Sequence, residues 1–496
     1  MGSSRGAEVA PLDRDRVRQV RIRRRFAPAP SGVSRSTVAV RSHSLLLLLP
    51  LAMGCGAKRT ASEAASAAQV DITVPESPLA SPGAGPPPVA LPPPDVDMSP
   101  ARIGQLDRPD RLMHLFHALS GLDEGHAHDD VRVVQFGDSH TAADVGTATL
   151  RHLLQARFGD GGRGFVSVGK PWKSYAQDGI RGGMTNDFDA SRVRIKGDRA
   201  AGDGLYGLLG VDISSDASSA RAWTRIAEPT SRLELDYLQA PRGGSFDVFI
   251  DGALAGRVST KAGETAAGYT AFDTTDAPHE VEVKTVGDGD VRVFGMALDR
   301  AQAGVVVDAL GINGAQIFTP LRSGEEHFAE QLRHRAPDLV ILAYGTNEAL
   351  DPRLGDAEYE RGLVELLGRV ARAAPRASCL LLGPPDLARR ASKEQPYVFW
   401  PRIGEIVAIQ RKVATAAGCA FYDQLEAMGG PGTIIAWVNE PHDARAKSDF
   451  VHLTRFGYAQ LATSLGSDIL HAYDEWRAEI GLPPTNAAHT WGIATR

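Results

Sequence analysis

The chain has 496 residues, of which 43% are hydrophobic and 23% are charged, and its formal net charge is −6. This composition is that of an ordinary globular protein with room for two or three domains. The small net charge gives no sign of the basic domain that nucleic-acid binding requires, so no nucleic-acid partner is expected. Three cysteines, Cys55, Cys379 and Cys419, are too few for a disulfide-dense scaffold.

The N-terminal segment has the pattern of a secretory signal. An arginine-rich stretch at 14–25 is followed by an apolar run at 45–49 and by the residues PLAMGC, which end at Cys55. The apolar run is too short to span a membrane as a mature helix. The box before Cys55 resembles that of bacterial lipoproteins, although Ala52 and Met53 depart from the usual residues. The resemblance implies that Cys55 becomes the lipidated first residue. The alternatives are a plain secretory signal and a chance apolar run.

Residues 56–104 form a spacer rich in Ala, Pro and Ser. Such a composition cannot bury a core and favours an extended chain. We expect this segment to hold a folded body away from a membrane surface.

The folded body alternates helices and strands, which indicates a parallel sheet with helices on both faces. Apolar periodicity predicts, in chain order, a helix over 108–122, a strand over 131–136, a helix over 147–158, a strand over 305–312, a helix over 324–335, a strand over 338–345, a helix over 359–373, a strand over 378–386, a helix over 403–418, a strand over 419–423 and a helix over 456–476. Cys379 and Cys419 each lie beside such an apolar run, and buried free thiols are favoured there over a disulfide.

Between about 171 and 303 the pattern changes to short segments in which apolar and polar residues alternate, such as SRLELDYL and HEVEVKTV. Turn signals at Asp251-Gly252 and Asp288-Gly289 separate them. The pattern predicts an antiparallel β-sandwich inserted into the α/β domain. Its aromatic residues could stack on sugar rings, although a core position is favoured for each. They are Trp172, Tyr175, Trp223, Tyr237 and Tyr269.

Ser139, in the sequence GDSH, falls where the strand over 131–136 ends. Ligands bind at this end of the strands in open α/β sheets, so Ser139 is a candidate nucleophile. His452 is the candidate base, because Asp449 three residues earlier can hold one ring nitrogen while the other faces the serine. Gly314 and Asn347 follow two later strands, and they offer a backbone N–H and a side-chain amide for an oxyanion hole.

Other histidines are weaker candidates. His126 and His128 lie among acidic residues, but a solvated loop is favoured over a metal site. His442 ranks second to His452 as a base. No dinucleotide or P-loop motif is convincing, so neither a cofactor nor a metal is expected.

The four blocks GDSH, GINGA, GTNE and DFVHL resemble those of the SGNH (GDSL-type) hydrolases, in the same order. The resemblance covers about 106–170 and 304–480, and it implies a flavodoxin-like three-layer α/β/α sandwich with a central parallel sheet. It further implies roles for Ser139 as nucleophile, for His452 as base oriented by Asp449, and for the Ser139 N–H, the Gly314 N–H and the Asn347 side chain as oxyanion hole. His140 and Glu348 depart from the family pattern, so the resemblance assigns them no role.

The GDSH block and the large insert are similar to bacterial peptidoglycan O-acetylesterases that carry a carbohydrate-binding-like module. This resemblance implies a serine esterase that removes O-acetyl groups from an extracytoplasmic polysaccharide, foremost peptidoglycan. It would act in the cell envelope as a periplasm-facing lipoprotein anchored in the inner or outer membrane at Cys55. The alternatives are an acetyltransferase on the same frame, a lipase or thioesterase, and a non-catalytic glycan-binding lipoprotein. The predicted domains are 1–55 (signal), 56–104 (spacer), 105–170 (first hydrolase part), 171–303 (β module), 304–480 (second hydrolase part) and 481–496 (tail).

Overall fold

The computed structural model describes residues 100–127, 129–193, 202–390 and 392–482. The signal segment with Cys55, most of the spacer and most of the C-terminal tail therefore lie outside the described residues. Within the described ranges, no helix combines the length and the apolarity that crossing a bilayer would need.

The described chain alternates strands and helices at its two ends and is almost entirely β in between. The strands are β1 (Leu106–Asp107), β2 (Val131–Gly137), β3 (Gly162–Val166), β4 (Ile180–Met184), β5 (Asp189–Arg192), β6 (Val211–Ser215), β7 (Arg221–Gln239), β8 (Ser245–Ile250), β9 (Ala253–Ser259), β10 (Ala266–Thr285), β11 (Val291–Asp299), β12 (Val305–Gly311), β13 (Leu339–Ala343), β14 (Ser378–Leu382), β15 (Ala388–Arg389), β16 (Val398–Phe399) and β17 (Ala420–Tyr422). The α-helices are α1 (Met113–Asp123), α2 (Ser139–Ala142), α3 (Val145–Phe158), α4 (Glu325–Arg335), α5 (Thr346–Leu350), α6 (Asp356–Ala373), α7 (Arg402–Ala417), α8 (Gln424–Met428), α9 (Thr433–Val438) and α10 (Arg455–Glu479).

The first sheet has six strands in the order β1-β17-β14-β13-β2-β12. All neighbours in it are parallel except β1, which pairs antiparallel with β17 at the edge. Its five parallel strands follow the 2-1-3-4-5 order of flavodoxin-like sheets. The predicted α/β fold with a central parallel sheet is confirmed.

Helices cover both faces of this sheet because its strands are apolar on both sides. Successive residues of a strand point to opposite faces. Val133 accordingly packs with α1, α3 and α10 in one buried cluster, and Val134 packs with α4, α6 and α7 in another. The sheet is thus the middle layer of three.

The inserted module is one connected antiparallel sheet of nine strands. Its two longest strands, β7 and β10, pair with each other along most of their length. The pairing shifts register between Asp273 and His279, and each half of the two strands pairs with a different set of shorter strands. One end carries β4, β8 and β9, and the other carries β3, β5, β6 and β11. Apolar residues from both ends of the sheet form a single buried cluster, as in a sandwich. Unlike the two separate sheets of a sandwich, the two ends here are continuous, because β7 and β10 belong to both.

The module's sheet begins earlier in the chain than the predicted boundary at 171. β3 lies in the segment 105–170, which the sequence assigned to the hydrolase part, yet it pairs antiparallel with β11. The prediction assigned β3 to the hydrolase part because β3 directly follows α3, a helix that packs on the first sheet. A buried ion cluster ties the two parts together here, since Arg335 of α4 bonds both Asp308 of β12 and Asp299 of β11.

The preference for free thiols at Cys379 and Cys419 was wrong, because the two residues form a disulfide. Leu380 of β14 is paired with Ala420 of β17 in the parallel register. The residues directly before them, Cys379 and Cys419, therefore lie opposite each other, with their Cα atoms 4.8 Å apart. The sequence shows two strand-like runs, but not that they are neighbours in the sheet.

Candidate active site

The turn between β2 and α2 presents Ser139 at the carboxyl end of β2, where the parallel strands of the first sheet end. Asp138 caps α2, and its Oδ1 atom accepts the His140 N–H at 2.9 Å. Only glycine fits at position 137, because a Cβ there would lie 2.1 Å from the Thr141 Oγ1 atom and 2.8 Å from the Ala343 oxygen. The tight approach of α2 to β13 therefore depends on Gly137 and places Ser139 beyond the strand end.

Ser139, His452 and Asp449 form a continuous chain of hydrogen bonds. The Ser139 Oγ and His452 Nε2 atoms are 2.9 Å apart, although 313 residues separate them in sequence. On the other side of the ring, His452 Nδ1 lies 2.8 Å from Asp449 Oδ2. The structure therefore brings together the three residues that the sequence singled out, in the arrangement that lets a histidine take a proton from a serine.

The loop that carries the histidine is folded back on Asp449. The second oxygen of this carboxylate, Oδ1, accepts the backbone N–H groups of Val451 and His452 at 3.0 and 2.9 Å. Phe450 adopts the left-handed conformation with φ 58°, which turns the chain within the D-x-x-H segment. Burial alone would raise the pKa of Asp449, but hydrogen bonds from the backbone and ring of His452 outweigh it and lower this pKa overall. Asp449 is thus held as a carboxylate that orients the ring.

Two backbone N–H groups are free to face an oxyanion. Ser139 is the first residue of α2, whose N–H has no partner inside the helix. Gly314 follows β12 in an exposed turn with φ 79°, a conformation that glycine adopts without strain. Neither N–H has an acceptor among the described residues. The sequence placed these same two donors in the oxyanion hole.

The Asn347 side chain is at the same sheet edge, but both of its amide hydrogens already have acceptors. Its Nδ2 atom donates to the Ala315 oxygen at 2.9 Å and to Asp138 Oδ2 at 3.3 Å. Burial raises the pKa of Asp138 to about 7. The longer and weaker of the two bonds, to Asp138, must yield before Asn347 can donate to a substrate oxygen.

Glu348, which the resemblance left without a role, holds two of the loops around the site. Its two carboxyl oxygens accept the Ile317 N–H at 2.8 Å and the Gly345 N–H at 3.0 Å. The side chain is fully buried, and burial raises its pKa to about 8. Glu348 therefore links the turn after Gly314 to the start of α5, which carries Asn347.

His140 lies beside the candidate base. Its ring centroid is 5.4 Å from that of His452, and its Nδ1 atom lies 2.9 Å from the Tyr458 hydroxyl of α10. Its Nε2 atom is buried and has no partner among the described residues. Burial, reinforced by the nearby His452, lowers the pKa of His140 to about 3, so its ring is neutral. His140 joins the serine turn to α10, a role that the GDSH pattern does not reveal.

The other candidates do not join this site. His442 is exposed, and the structure shows no bond from its ring to Ser139 or Asp449. His128 lies outside the described residues, and His126 is 3.5 Å from Glu124.

Among the residues that the structure describes, one cluster of side chains that could bind a metal lies outside this site. It consists of His152, Asp178 and Glu228. The guanidinium of Arg151 is 3.5 Å from both carboxylates and already supplies positive charge there. This arrangement disfavours a cation, because a metal ion would have to displace or repel a buried arginine.

The aromatic residues of the module are mostly structural. Tyr175 and Tyr237 are buried in the core, and Tyr269 stacks on the His334 ring at 3.5 Å. Trp172 differs, because its indole N–H donates to the Asn313 side chain at 3.2 Å, next to Gly314. The module thus contacts the turn that carries the candidate oxyanion donor Gly314.

A protein-family model described as GDSL-like Lipase/Acylhydrolase family matches residues 267–460. This segment of the chain is therefore similar to GDSL-like lipases and acylhydrolases. The match includes Gly314, Asn347, Asp449 and His452 but begins within β10, so Ser139 lies outside it. Ser139 joins the set through its hydrogen bond to His452.

The chain also resembles solved structures. A structure described as a peptidoglycan O-acetylesterase in action superimposes with a TM-score of 0.61 and 24% identity, covering 73% of this chain and 96% of that chain. A family two carbohydrate esterase from Clostridium thermocellum, solved with cellohexaose, gives a TM-score of only 0.24 at 10% identity, over 54% of this chain and 95% of that one. The first likeness shows the fold. No curated protein matches the chain in sequence.

Proposed function

We propose that the protein is a serine esterase of the SGNH hydrolase type that removes O-acetyl groups from an extracytoplasmic polysaccharide, with peptidoglycan as its substrate. The observation that carries the proposal is the hydrogen-bonded chain from Ser139 through His452 to Asp449. The choice of substrate rests on the similarity to the solved peptidoglycan O-acetylesterase.

In the first half of the reaction, the Ser139 hydroxyl attacks the carbonyl carbon of the acetyl ester. His452 takes the serine proton through Nε2, and Asp449 stabilises the resulting imidazolium through Nδ1. The negative charge that forms on the carbonyl oxygen is met by the N–H groups of Ser139 and Gly314, joined by Asn347 once it leaves Asp138. His452 then protonates the sugar oxygen, the C–O ester bond breaks, and an acetyl group stays on Ser139.

In the second half, water takes the place of the departed sugar hydroxyl and attacks the carbonyl carbon of the acetyl group on Ser139. His452 deprotonates the water, acetate leaves, and the proton returns to Ser139. The site is open to solvent, since the side chains of His452 and Asp449 keep 35% and 48% of their surface exposed. An acetyltransferase must keep water from the acyl-enzyme, so this exposure favours hydrolysis over transfer.

The proposal includes secretion and a lipid anchor at Cys55. The disulfide between Cys379 and Cys419 supports an oxidising compartment outside the cytoplasm, where such bonds persist. In a bacterial host, the full-length chain should partition into detergent and release acylated Cys55 peptides on digestion. Cys55→Ala should stay in the aqueous phase, and equal partitioning of the two would contradict the anchor.

Acetate release tests the catalytic assignment. Wild type should release acetate from 4-nitrophenyl acetate and from O-acetylated peptidoglycan, and Ser139→Ala should release none above the spontaneous rate. Ser218→Ala, at an exposed serine of the module, is the matched control and should behave as wild type. Equal rates for wild type and Ser139→Ala would refute the nucleophile.

Acyl-chain length separates an acetylesterase from a lipase or thioesterase. We expect kcat/KM to fall as the acyl group of a 4-nitrophenyl ester lengthens from acetyl to octanoyl. A preference for octanoyl would favour a lipase instead. Binding to acetylated peptidoglycan with no turnover of any ester would favour a non-catalytic lipoprotein.

A further inference from the structure

A small basic hairpin stands beside the candidate active site. Strands β15 and β16 pair antiparallel and form the hairpin between β14 and α7. Its arginines Arg389 and Arg390 and its lysine Lys393 are exposed. Neither the sequence patterns nor the proposed mechanism uses this element.

The hairpin packs directly on the loop of the candidate base. The Ala388 N–H donates to the Phe450 oxygen at 3.0 Å. The Tyr397 ring stacks on the Phe450 ring, with centroids 3.7 Å apart and planes 15° apart. Phe450 directly follows Asp449 and precedes His452 by two residues. One side of the hairpin therefore packs against the loop that carries the candidate base.

The other side of the hairpin contacts the helix that carries Asn347. Trp400, which follows β16, donates its indole N–H to the Ala349 oxygen of α5 at 2.8 Å. Its backbone N–H donates to the Leu387 oxygen at 3.1 Å, which closes the base of the hairpin. The hairpin therefore bridges the two sides of the site, from the base loop to α5.

Aromatic rings hold the two arginines in place. The guanidinium carbon of Arg390 lies 4.9 Å from the centre of the Tyr397 ring, and that of Arg389 lies 5.1 Å from Trp400. Arg390 also donates to the Lys393 oxygen at 3.1 Å. A stacked guanidinium loses less freedom on binding and keeps its fork of N–H donors available for a carboxylate.

These cations have no carboxylate partner within the described ranges, unlike the arginines around them. Arg402 pairs with Asp356 and Glu405, Arg411 with Asp423, and Arg445 with Glu440. No such pair involves Arg389, Arg390 or Lys393, and Lys447, just before the Asp449 loop, also lacks one. Unpaired positive charge is thus concentrated on the hairpin that packs against the loop of the candidate base.

We propose that Arg389 and Arg390 bind carboxylate groups of the polysaccharide next to the acetyl group that reacts, so that the substrate is an anionic acetylated glycan. This inference rests on the proposed esterase function. Arginine recognises carboxylates through two parallel N–H···O bonds, and the positive charge attracts an anionic chain from a distance. A neutral acetylated glycan offers these donors hydroxyl and carbonyl oxygens but no carboxylate, so it forms only weaker, uncharged hydrogen bonds with them.

The test compares O-acetylated peptidoglycan before and after carbodiimide amidation of its carboxylates. For wild type, amidation should lower kcat/KM roughly 10-fold or more, mainly through KM, because the lost contacts serve binding. In Arg389→Ala/Arg390→Ala, native and amidated substrates should give nearly equal kcat/KM values. Arg361→Ala/Arg376→Ala removes the same charge from exposed positions on and after α6 and should retain the wild-type ratio.

Two results would overturn the inference. One is a wild-type enzyme that does not distinguish native from amidated substrate. The other is a double variant that retains the wild-type ratio while its rates on both substrates fall together, since this would indicate a structural role for the hairpin.

A second pair of substrates separates the inference from the proposed function. If peptidoglycan gives no acetate with wild type, the proposed substrate fails, and acetylated polygalacturonate and acetylated xylan then serve as the charged and neutral glycans. A preference for polygalacturonate that the double variant loses supports carboxylate binding, whereas an equal rate on the two overturns it. Rising salt should weaken the same preference.

Discussion

The Asn347 amide donates to the Asp138 carboxyl across the gap between two strand ends, at 3.3 Å. Asp138 in turn caps the helix that begins with Ser139, through a bond to the His140 N–H. The residue before the candidate nucleophile therefore holds a candidate oxyanion donor. The Asp138 carboxyl thus makes two bonds, one to the His140 N–H and one to the Asn347 amide, which different substitutions remove.

Asp138→Asn should keep the cap and lose the contact with Asn347. The new side-chain oxygen can still accept the His140 N–H, while its amide nitrogen faces another donor. We expect near wild-type stability and a lower kcat, because two amide groups that face each other turn the Asn347 side chain out of its alignment at the strand end. Urea unfolding and acetate release measure the two quantities. Asp138→Ala removes the cap as well and should also lower the free energy of unfolding by about 1 kcal/mol. An Asn variant with wild-type kcat would show that the contact has no part in catalysis.

Asn347→Ala tests whether the amide reaches the transition state. Removing one oxyanion donor costs roughly 10²–10³-fold in kcat. The loss should appear in kcat with KM little changed, because the bond forms only as the oxygen becomes charged. Asn439→Ala, at the exposed asparagine that follows α9, is a suitable control. A change confined to KM would assign Asn347 to ground-state binding instead.

Asp449→Asn should leave the loop in place and misorient the ring proton. The Asn oxygen can still accept the backbone N–H groups of Val451 and His452, but its amide cannot accept from His452 Nδ1. In a serine triad, such a change lowers kcat by roughly 10⁴-fold. Circular dichroism and thermal unfolding would check that the variant is folded. A fall of less than tenfold would contradict the role of Asp449.

Glu348 predicts a pH-dependent stability. Its pKa rises from 4.5 to about 8 on folding, so the folded protein holds this proton more tightly than the unfolded chain does. The resulting stabilisation is complete below about pH 4.5 and is lost as the pH rises to about 8. Glu348→Gln does not titrate, and it offers one oxygen to two N–H groups, at a cost of about 1–3 kcal/mol.

Urea unfolding at pH 5 and pH 8 measures this difference. The advantage of wild type over Glu348→Gln should shrink at the higher pH. Glu365→Gln, at an exposed position of α6, should show no such trend. An advantage that grows with pH would mean that Glu348 is a stabilised carboxylate rather than a group that burial keeps protonated.

The disulfide should make a large contribution to stability. It joins residues 40 apart in sequence. Replacing both cysteines by alanine should lower the free energy of unfolding by about 2–4 kcal/mol, mainly by releasing the unfolded chain. Denaturant unfolding of wild type with and without reductant provides the same comparison without mutation. Two free thiols in the unreduced, denatured wild type would disprove the bond.

The sequence predicts the elements that have strong local signals. The apolar runs of β2, β12 and β13 and the turn residues after them identify the parallel sheet, and the four short blocks identify the residues around Ser139. Each of these signals lies within about ten neighbouring residues, so no knowledge of distant contacts is needed. The SGNH fold could therefore be predicted from the chain itself.

Contacts between distant segments could not be predicted in this way. Pairing Cys379 with Cys419 requires the order of strands in the sheet, and placing β3 with the module requires its pairing to β11. The role of Glu348 depends on Ile317, a residue of another loop. The basic hairpin is too short to have a periodic pattern, and its position near Phe450 follows only from the folded chain.

The place of the insert also bears on how the chain folds. Both neighbours of β2 in the sheet, β12 and β13, come after the module, and the Asp130 and Gly304 residues that begin this pairing are 174 positions apart. During synthesis, β2, the strand that presents Ser139, therefore remains unpaired until the whole module has been synthesised. Long-range parallel pairing of this kind is slow and leaves strand edges open to aggregation. A module that folds early brings the ends of β2 and β12 together and so shortens the time for which β2 stays unpaired.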